Sequence, residues 1–156
     1  FISACLIAQK FIFDSVDTIN QNLYIWGISG SYQFNMGYLI DHLTIIMIVV
    51  VTFVSLLVHI YSIGYMDKDP GYSRFFSYMS LFTFAMLMLV ISNNFLQLFF
   101  GWEGVGLVSY LLIGFWHHKD SANAGSLKAF IVNRIGDLGF LLGIGAILDN
   151  FNTLDY

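Results

Sequence analysis

Charged residues are scarce in this sequence, and only 10% of its 156 residues are Asp, Glu, Lys or Arg. A soluble domain carries about 25% charged residues, whereas 58% of this chain is hydrophobic and 18% is aromatic. So few charges cannot cover such an apolar surface in water, which excludes a soluble globular domain. The sequence therefore predicts an integral membrane protein, and its net charge of −4 says little about partners.

Cysteine and proline each occur once. Cys5 stands alone in an apolar run, which excludes an internal disulfide and a cysteine-ligated metal site. His117 and His118 are adjacent rather than spaced at i and i+4, and no ligand set accompanies them. The sequence has no glycine-rich phosphate loop, haem ligand pair or nucleophile triad. We therefore expect no metal, no cofactor and no nucleic acid on this chain.

Long apolar runs dominate what is present. Each of four segments is long enough to cross the ~30 Å hydrocarbon layer of a bilayer at a helical rise of ~1.5 Å per residue. We predict transmembrane helices at 38–66, 74–92, 94–116 and 122–148. The single proline, Pro70, marks the turn between the first two of them. The predicted fold class is therefore an all-α, polytopic transmembrane helix bundle.

The N-terminal part of the chain is less regular. Residues 1–13 are apolar but too short to span a bilayer, and we interpret them as the end of a truncated span. Segment 14–37 is polar and aromatic, and we predict an external loop with a short hairpin at about 23–35. The sequence has no initiator Met and no closing polar tail. We therefore expect a fragment of a longer polytopic subunit.

Basic residues predict the orientation of the spans. The loops on one side of the membrane carry Lys68, Arg74 and Lys119, with Lys128 just inside the last span. The opposite side carries only Lys10. The positive-inside rule therefore places the Lys68 and Lys119 loops in the cytoplasm or the mitochondrial matrix. The polar segment that precedes the first full span then faces outside.

Glu103 lies in the middle of the third predicted span. An ionised carboxylate there costs at least ~2.5–3.5 kcal/mol on insertion scales, so it requires a cationic partner, a bound proton or water. Glycines on both sides of Glu103 let neighbouring helices approach closely. Because ionisable residues inside a membrane usually mark ion or proton pathways, we predict that Glu103 translocates protons. The alternative is a carboxyl group that ties helices together.

The last predicted span carries Arg134 and Asp137 at nearly the depth of Glu103, counted from the loop that joins the two helices. Arg134 and Asp137 are at i and i+3, so they share a face and can pair. Lys128 is shallower and points about 120° away from Arg134, toward a different helix or toward the interface. We predict that Arg134, Asp137 and Lys128 take part in proton translocation. The alternative is a static Arg134–Asp137 bridge that holds two helices together.

Two further residues are weaker candidates. His59 lies close to the cytoplasmic end of the first predicted span, where a structural role is favoured and proton entry is the alternative. Asp41 lies in the first turn of that span, where a carboxylate interacts favourably with the helix dipole. Tryptophans are interpreted as interfacial belts and lipid-facing bulk. They are Trp26, Trp102 and Trp116.

Five groups of residues occur together in a recognisable order. They are Gly37–Asp41 (GYLID), His59–Ser62 (HIYS), Gly71–Phe76 (GYSRFF), Gly101–Gly106 (GWEGVG) with Ser109–Phe115 (SYLLIGF), and Lys128–Phe130 (KAF) with Asn133–Asp137 (NRIGD). In this order they closely resemble chain 5, or subunit L, of NADH:quinone oxidoreductase, the respiratory complex I. The resemblance covers nearly everything from Gly37 onward and is most specific around Glu103. Residues 1–36 match only in general layout.

The resemblance implies an antiporter-like subunit of the membrane arm, of which residues 1–156 form a single fragment. Such a complex passes electrons from NADH to quinone and pumps protons, so the chain would belong to a translocase without redox chemistry of its own. NADH, FMN, the iron–sulfur clusters and quinone are expected on other subunits, which, with the lipid bilayer, are the expected partners. In the family, the glutamate matching Glu103 pairs with a lysine on a later helix, beyond Tyr156. Arg134 and Asp137 match supporting groups.

Two other functions stay open. A large subunit of a multisubunit Na⁺/H⁺ antiporter shares this helix bundle and its buried glutamate, and sodium-dependent pH gradients without NADH would distinguish it. A structural membrane scaffold, in which the buried charges only join helices, would disassemble when those charges are replaced. We expect the bacterial inner membrane as the location, with the mitochondrial inner membrane as the alternative.

Overall fold

The structure, a computed structural model, describes residues 1–13, 17–30 and 32–156. In these residues the elements are, in chain order, α1 (Ile2–Phe13), β1 (Ile19–Ser29), β2 (Tyr32–Ile40), α2 (His42–Tyr65), α3 (Tyr72–Val90), α4 (Phe95–Ile113) and α5 (Asp120–Phe151). The helices α2 to α5 are each long and apolar enough to cross a membrane, whereas α1 is short. This confirms the predicted helical bundle with four spans.

Helices that follow one another in the chain pack side by side. α1 packs on α2, α2 on α3, α3 on α4, and α4 on α5, and the α3–α4 contact is the most extensive. Few side chains are fully buried, and the outward faces carry large exposed residues such as Leu43, Phe84 and Leu142. Exposed apolar faces of this extent suit lipid or neighbouring helices rather than water.

The first full span begins at His42 rather than at 38, because Asp41 has an extended backbone (φ −120°, ψ −178°) and caps the helix. Its carboxylate accepts a hydrogen bond of 2.7 Å from the backbone N–H of Thr44, which satisfies a donor that the first helical turn leaves free. This hydrogen bond is the main reason that the pKa of Asp41 is lowered. The stabilising cap is therefore present at neutral pH and is lost as the pH falls through the lowered value.

The other span ends also differ from the predicted ones. α3 begins at Tyr72, directly after the turn that contains Pro70, and ends at Val90 because the next residues form a polar turn. α4 ends at Ile113, where Gly114 starts the connection to α5. α5 extends beyond 122–148 at both ends, and it stops where Asn152 adopts the left-handed conformation (φ 56°) that commonly ends helices.

The predicted hairpin is present and is longer than 23–35. β1 and β2 pair antiparallel from Ile19 opposite Ile40 to Ser29 opposite Tyr32. Gly30 lies at the turn with φ of +61°, in the left-handed region that glycine enters at little cost. The described part of the predicted external loop is thus mostly sheet. Residues 14–16 and 31 lie outside the described residues.

A buried polar junction joins the hairpin to the turn between α3 and α4. The side-chain amide of Asn93 donates to the side-chain oxygens of Asn20 (3.1 Å) and Asn22 (2.7 Å). The side-chain amide of Asn94 donates to the backbone carbonyl of Asn35 at 2.9 Å. Asparagine is a poor strand former, so these tertiary hydrogen bonds explain why the ladder extends through the asparagine-rich start of β1.

α4 approaches α3 most closely at Gly101. A Cβ atom at Gly101 would lie 2.6 Å from the Cα of Leu89 on α3, and one at Gly104 would lie 3.2 Å from the Cβ of Ala85. Small residues about one turn apart therefore allow close contact between the two helices. This contact sets the rotation of α4 about its axis, and with it the direction of Glu103 toward α5.

Replacing Gly101 by Ala should push α4 away from α3, because the added methyl group meets backbone atoms of Leu89. Overpacking of this kind costs about 1–3 kcal/mol. We expect the full-length protein with Gly101→Ala to lose thermal stability in detergent. The control is Gly106→Ala on the same helix, where a Cβ would have no neighbour closer than 3.7 Å. Equal stability of the two variants would contradict the close packing at Gly101.

Candidate functional site

Glu103 lies near the middle of α4 and faces α5. The Nη1 atom of Arg134 forms an ion pair with Oε2 of Glu103. The same nitrogen lies 3.7 Å from Oδ2 of Asp137, so Arg134 stands between two carboxylates. We call these three residues the charged triad. The structure thus brings together the three residues that the sequence predicted to lie level in the membrane.

The triad is more buried on its acidic side. The side-chain exposed fractions are 10% for Asp137, 21% for Glu103 and 38% for Arg134. With every group ionised, the triad carries one more negative charge than positive charge. An uncompensated charge inside a membrane is costly. Within the described residues, the site is therefore balanced only when it also holds a proton or a further cation.

Trp102 is a member of this site that the sequence did not reveal. Its indole Nε1–H donates a hydrogen bond of 2.8 Å to Oδ1 of Asp137, and its ring packs edge-to-face on Phe140. The interpretation of Trp102 as lipid-facing bulk is therefore wrong for the polar end of this side chain. A signal was available, because an indole N–H at mid-membrane requires an acceptor and Asp137 was predicted at the same level.

The guanidinium group of Arg134 also contacts an aromatic ring on its own helix. Its central carbon lies 4.7 Å from the centre of the Phe130 ring, one turn earlier on α5. A cation–π contact occupies the flat face of the guanidinium and leaves its edge nitrogens free to meet carboxylates. α5 thereby presents Arg134 toward Glu103 on α4.

This arrangement permits one cation to exchange between two acids. In this structure Arg134 pairs with Glu103, while Asp137 also accepts the Trp102 hydrogen bond. An acid in apolar surroundings keeps its charge beside a cation and takes up a proton when that cation leaves.

The other predicted site residues lie outside the triad. Lys128 is exposed on α5 and forms no ion pair in the part of the chain that the structure describes. His59 lies on α2 and contacts serine residues rather than an acid. Asp41 is the cap of α2. These three residues are not brought together with Glu103.

A second indole–carboxylate contact joins the loops at the opposite end of the spans from the hairpin. The Nε1–H of Trp116 donates to Oδ2 of Asp69 at 2.9 Å and is the main reason that the pKa of Asp69 is lowered. The Lys119 ammonium lies 4.6 Å over the Trp116 ring. Arg74 donates to the backbone carbonyl of Phe115 at 3.2 Å. These contacts tie the α2–α3 loop to the α4–α5 connection.

Two protein-family models match this chain. One, described as NADH-ubiquinone oxidoreductase (complex I), chain 5 N-terminus, matches residues 26–76. The other, described as NADH:quinone oxidoreductase/Mrp antiporter, TM, matches residues 92–156. Together they cover most of the chain, and the second match contains the whole charged triad.

Curated relatives are similar over nearly the whole chain. The NADH-quinone oxidoreductase subunit L of Neisseria meningitidis serogroup B is 61% identical over 154 residues, which is 96% of this chain and 23% of that protein. The subunit L of Rickettsia conorii is 55% identical over 138 residues, 88% of this chain and 21% of that protein. The NADH-ubiquinone oxidoreductase chain 5 of Chondrus crispus is 54% identical over 134 residues, which is 86% of this chain and 20% of that protein. The chain thus spans less than a quarter of the length of these relatives.

A solved structure shares the fold. A chain of the membrane-bound sulfane sulfur reductase, an archaeal respiratory membrane complex, superposes with a TM-score of 0.72. The match covers 99% of this chain and 23% of that chain, at 17% sequence identity. At that identity the likeness concerns the arrangement of the helices alone.

Replacing Arg134 by Gln should destabilise the full-length protein, because Glu103 and Asp137 would then share one site without a cation. Because Arg134 is partly exposed, we expect a loss smaller than the about 3–5 kcal/mol that removing one partner of a fully buried ion pair costs. Adding Glu103→Gln should recover part of this loss, since it removes one of the two unpaired charges. Thermal unfolding of the two single variants and the double variant measures the coupling. Additive effects would show that the Glu103–Arg134 contact contributes no stability.

Proposed function

This chain belongs to the family of complex I chain 5 and NADH-quinone oxidoreductase subunit L proteins, and from that membership we propose that it contributes a proton-translocating site to the membrane arm of the complex. The proposed site is centred on Glu103. Electron transfer from NADH to quinone is part of the same proposal and takes place on other subunits. The chain is then a subunit of a translocase and performs no redox chemistry itself.

One observation carries this proposal: a single cation, Arg134, lies between two carboxylates at mid-span. Its pairing with Glu103 joins α4 to α5, and its distance of 3.7 Å from Asp137 leaves a second acceptor within reach. A static helix–helix bridge needs only one acid for one base. The second acid supplies the alternative position that a proton-loading cycle requires.

The proposed cycle moves one proton per displacement of Arg134. When Arg134 leans toward Asp137, the Glu103 carboxylate loses its cation and binds a proton from water on one side of the membrane. When Arg134 returns, the carboxylic acid releases that proton toward the other side. Redox events elsewhere in the complex bias Arg134 through the electrostatics of the membrane arm, which act strongly in a low-dielectric interior. Lys128 lies outside the triad, and the proposal gives it only a long-range electrostatic effect on the affinity of Glu103 for the proton.

The proposal assigns every cofactor to other subunits. NADH, FMN, the iron–sulfur clusters and quinone bind there, and those subunits and the lipid bilayer are the partners of this chain. Among residues 1–13, 17–30 and 32–156, no group of three His, Cys, Asp or Glu side chains is placed to hold a metal ion. The proposed location is the bacterial inner membrane, with the mitochondrial inner membrane as the alternative.

The large subunit of a multisubunit Na⁺/H⁺ antiporter is the second candidate. It is favoured by the second family model, whose description names the Mrp antiporter together with NADH:quinone oxidoreductase. The curated relatives favour the complex I function, because they are named subunit L or chain 5. A structural scaffold is the third candidate, and it requires the triad to act only as a joint between helices.

Replacing Glu103 by Gln in the full-length subunit should lower NADH-driven proton pumping while the complex still assembles. Gln keeps the size of the side chain and removes the group that loads the proton. We expect fewer protons translocated per NADH oxidised, measured in vesicles with a pH-sensitive dye. The matched control is Asp120→Asn, which also changes a carboxylate into an amide, at the exposed first residue of α5.

The outcomes separate the three candidates. Unchanged pumping by an assembled Glu103→Gln complex would refute the proton-translocating role. A pH gradient that depends on sodium and forms without NADH would instead support the antiporter. Loss of assembly in Glu103→Gln and Asp137→Asn, without a pumping defect in the complexes that do assemble, would support the scaffold.

A further inference from the structure

A line of polar groups joins α2 to α3, away from the charged triad. The hydroxyl oxygen of Ser55 lies 2.7 Å from that of Thr83 and 3.3 Å from Nδ1 of His59. The Nε2 atom of His59 lies 3.5 Å from the hydroxyl oxygen of Ser80. We call these four residues the α2–α3 polar seam. It occupies the half of the two helices nearest the loop that joins them and extends to their middle.

The hydroxyl groups alone would need no functional explanation. Serine and threonine in helices commonly donate to the backbone carbonyl one turn earlier, as Ser77 does to Ser73 and Thr83 does to Met79. Imidazole differs, because it is the side chain whose ordinary titration falls between about pH 5 and 8. Ionisable residues within a membrane are candidates for proton pathways, so the contacts of His59 have to decide between a packing role and a proton-binding role.

The geometry assigns the hydrogen of the neutral His59 ring to one nitrogen. Nδ1 lies 2.7 Å from the backbone carbonyl oxygen of Ser55, and a carbonyl oxygen only accepts hydrogen bonds. Nδ1 must therefore be the donor, which leaves the lone pair on Nε2. Nε2 faces Ser80, which is exposed on the surface of α3. The lone pair that can accept a proton therefore lies on the side of the ring that faces Ser80.

Charged groups do not compete for this nitrogen in the described ranges, where the ion pairs are those of the triad. In the same half of the bundle α3 carries Tyr72, Arg74 and Tyr78, and Arg74 is engaged with the carbonyl of Phe115. Tyr61 of α2 stacks on Tyr65. The ring contacts of α1 with α2 lie at Phe53, in the middle of α2, and at His42, at the hairpin end of that helix. The titratable side chains of α1 are Cys5 and Lys10, and those of β2, at that same end, are Tyr32 and Tyr38.

We propose that His59 is a second proton-loading site, separate from the triad, which takes up and returns protons through Nε2 on the cytoplasmic half of the membrane. This inference rests on the proposed proton-translocating function. In the loading step a proton from water adds to the Nε2 lone pair, and the neutral imidazole becomes an imidazolium. The Nδ1–H bond to Ser55 is kept throughout. The same proton leaves from Nε2 when the site discharges.

The seam residues act by positioning the imidazole. The Ser55 carbonyl holds Nδ1–H, and the Ser55 hydroxyl, itself fixed by Thr83, adds a second oxygen near the same nitrogen. Hydrogen bonds from a charged donor are about twice as strong as neutral ones, so both oxygens stabilise the loaded ring more than the unloaded one. The ring also packs at 5.8 Å against Phe76, which limits its rotation.

The test uses His59→Asn in the full-length subunit of the assembled complex. The Asn amide can place an N–H where Nδ1–H lies, so the bond to the Ser55 carbonyl survives while the Nε2 lone pair is lost. We expect assembly to be retained, most of the NADH-driven proton pumping to be lost, and the pH dependence of the remaining pumping to be flatter than that of the wild type. His42→Asn is the control, because it makes the same change at the exposed start of the same helix, where the ring packs on Phe11.

Thr83→Val provides the second variant, because it removes the hydroxyl that orients Ser55 and keeps the size of the side chain. We expect it to shift the pH profile of pumping, while Ser77→Ala, which removes an exposed back-bonded hydroxyl, leaves that profile unchanged. Should His59→Asn prevent assembly, an unchanged profile in Thr83→Val overturns the proposal. Wild-type pumping by an assembled His59→Asn complex across the pH range, with or without lower thermal stability, also overturns it.

Glu103→Gln measured in parallel separates this inference from the function on which it rests. A pumping defect in Glu103→Gln together with normal pumping in His59→Asn rejects the His59 site alone. Normal pumping in Glu103→Gln rejects the triad as the translocating site, whatever His59→Asn does.

Discussion

An ionised carboxylate inside a membrane has to be neutralised, and this requirement organises the centre of the molecule. Glu103 on α4 meets it through Arg134 on α5, and Asp137 meets it through the same cation and the Trp102 indole. The result joins two spans with two acids for one base. The imbalance distinguishes the triad from a simple structural bridge. The extra negative charge has to be neutralised by a proton or by a further cation, and the described residues place no second cation at the triad.

That pairing depends on the position and rotation of α4, which are set by contacts outside the triad. Gly101 lets the backbone of α4 touch α3 at Leu89, which fixes the rotation of the helix carrying Glu103. At the hairpin end of the bundle, the buried amides of Asn93 and Asn94 hold the hairpin against the start of α4. At the other end, the Trp116–Asp69 contact joins the two loops. Packing and hydrogen bonds outside the triad thus hold the helices that carry it in position.

Much of the site could be predicted from the chain alone, and the exceptions have physical causes. Depth along a helix follows from counting residues from a shared loop, so Glu103, Arg134 and Asp137 were placed level correctly. The role of Trp102 was missed because an aromatic residue in a span is usually apolar surface, and its polar nitrogen matters only once an acceptor is known. Lys128 was predicted to point about 120° away from Arg134, and it is exposed on α5 outside the triad. α2 starts later than predicted because Asp41 caps the helix and the residues before Asp41 pair with β1.

The sequence by itself determined the membrane class, the number of spans, the level of the buried charges and the family. Hydropathy, residue spacing and the order of motifs can all be obtained from the sequence without knowing how the helices pack. Only the tertiary structure decided which acid Arg134 pairs with and that the Trp102 indole donates a hydrogen bond to Asp137. It also decided that the free lone pair of the neutral His59 ring is on Nε2 rather than on Nδ1. Those choices depend on the rotation of each helix about its axis and on the distance to its neighbour. Both are set by the packing of residues far apart in the chain, such as Gly101 against Leu89, and no local pattern encodes them.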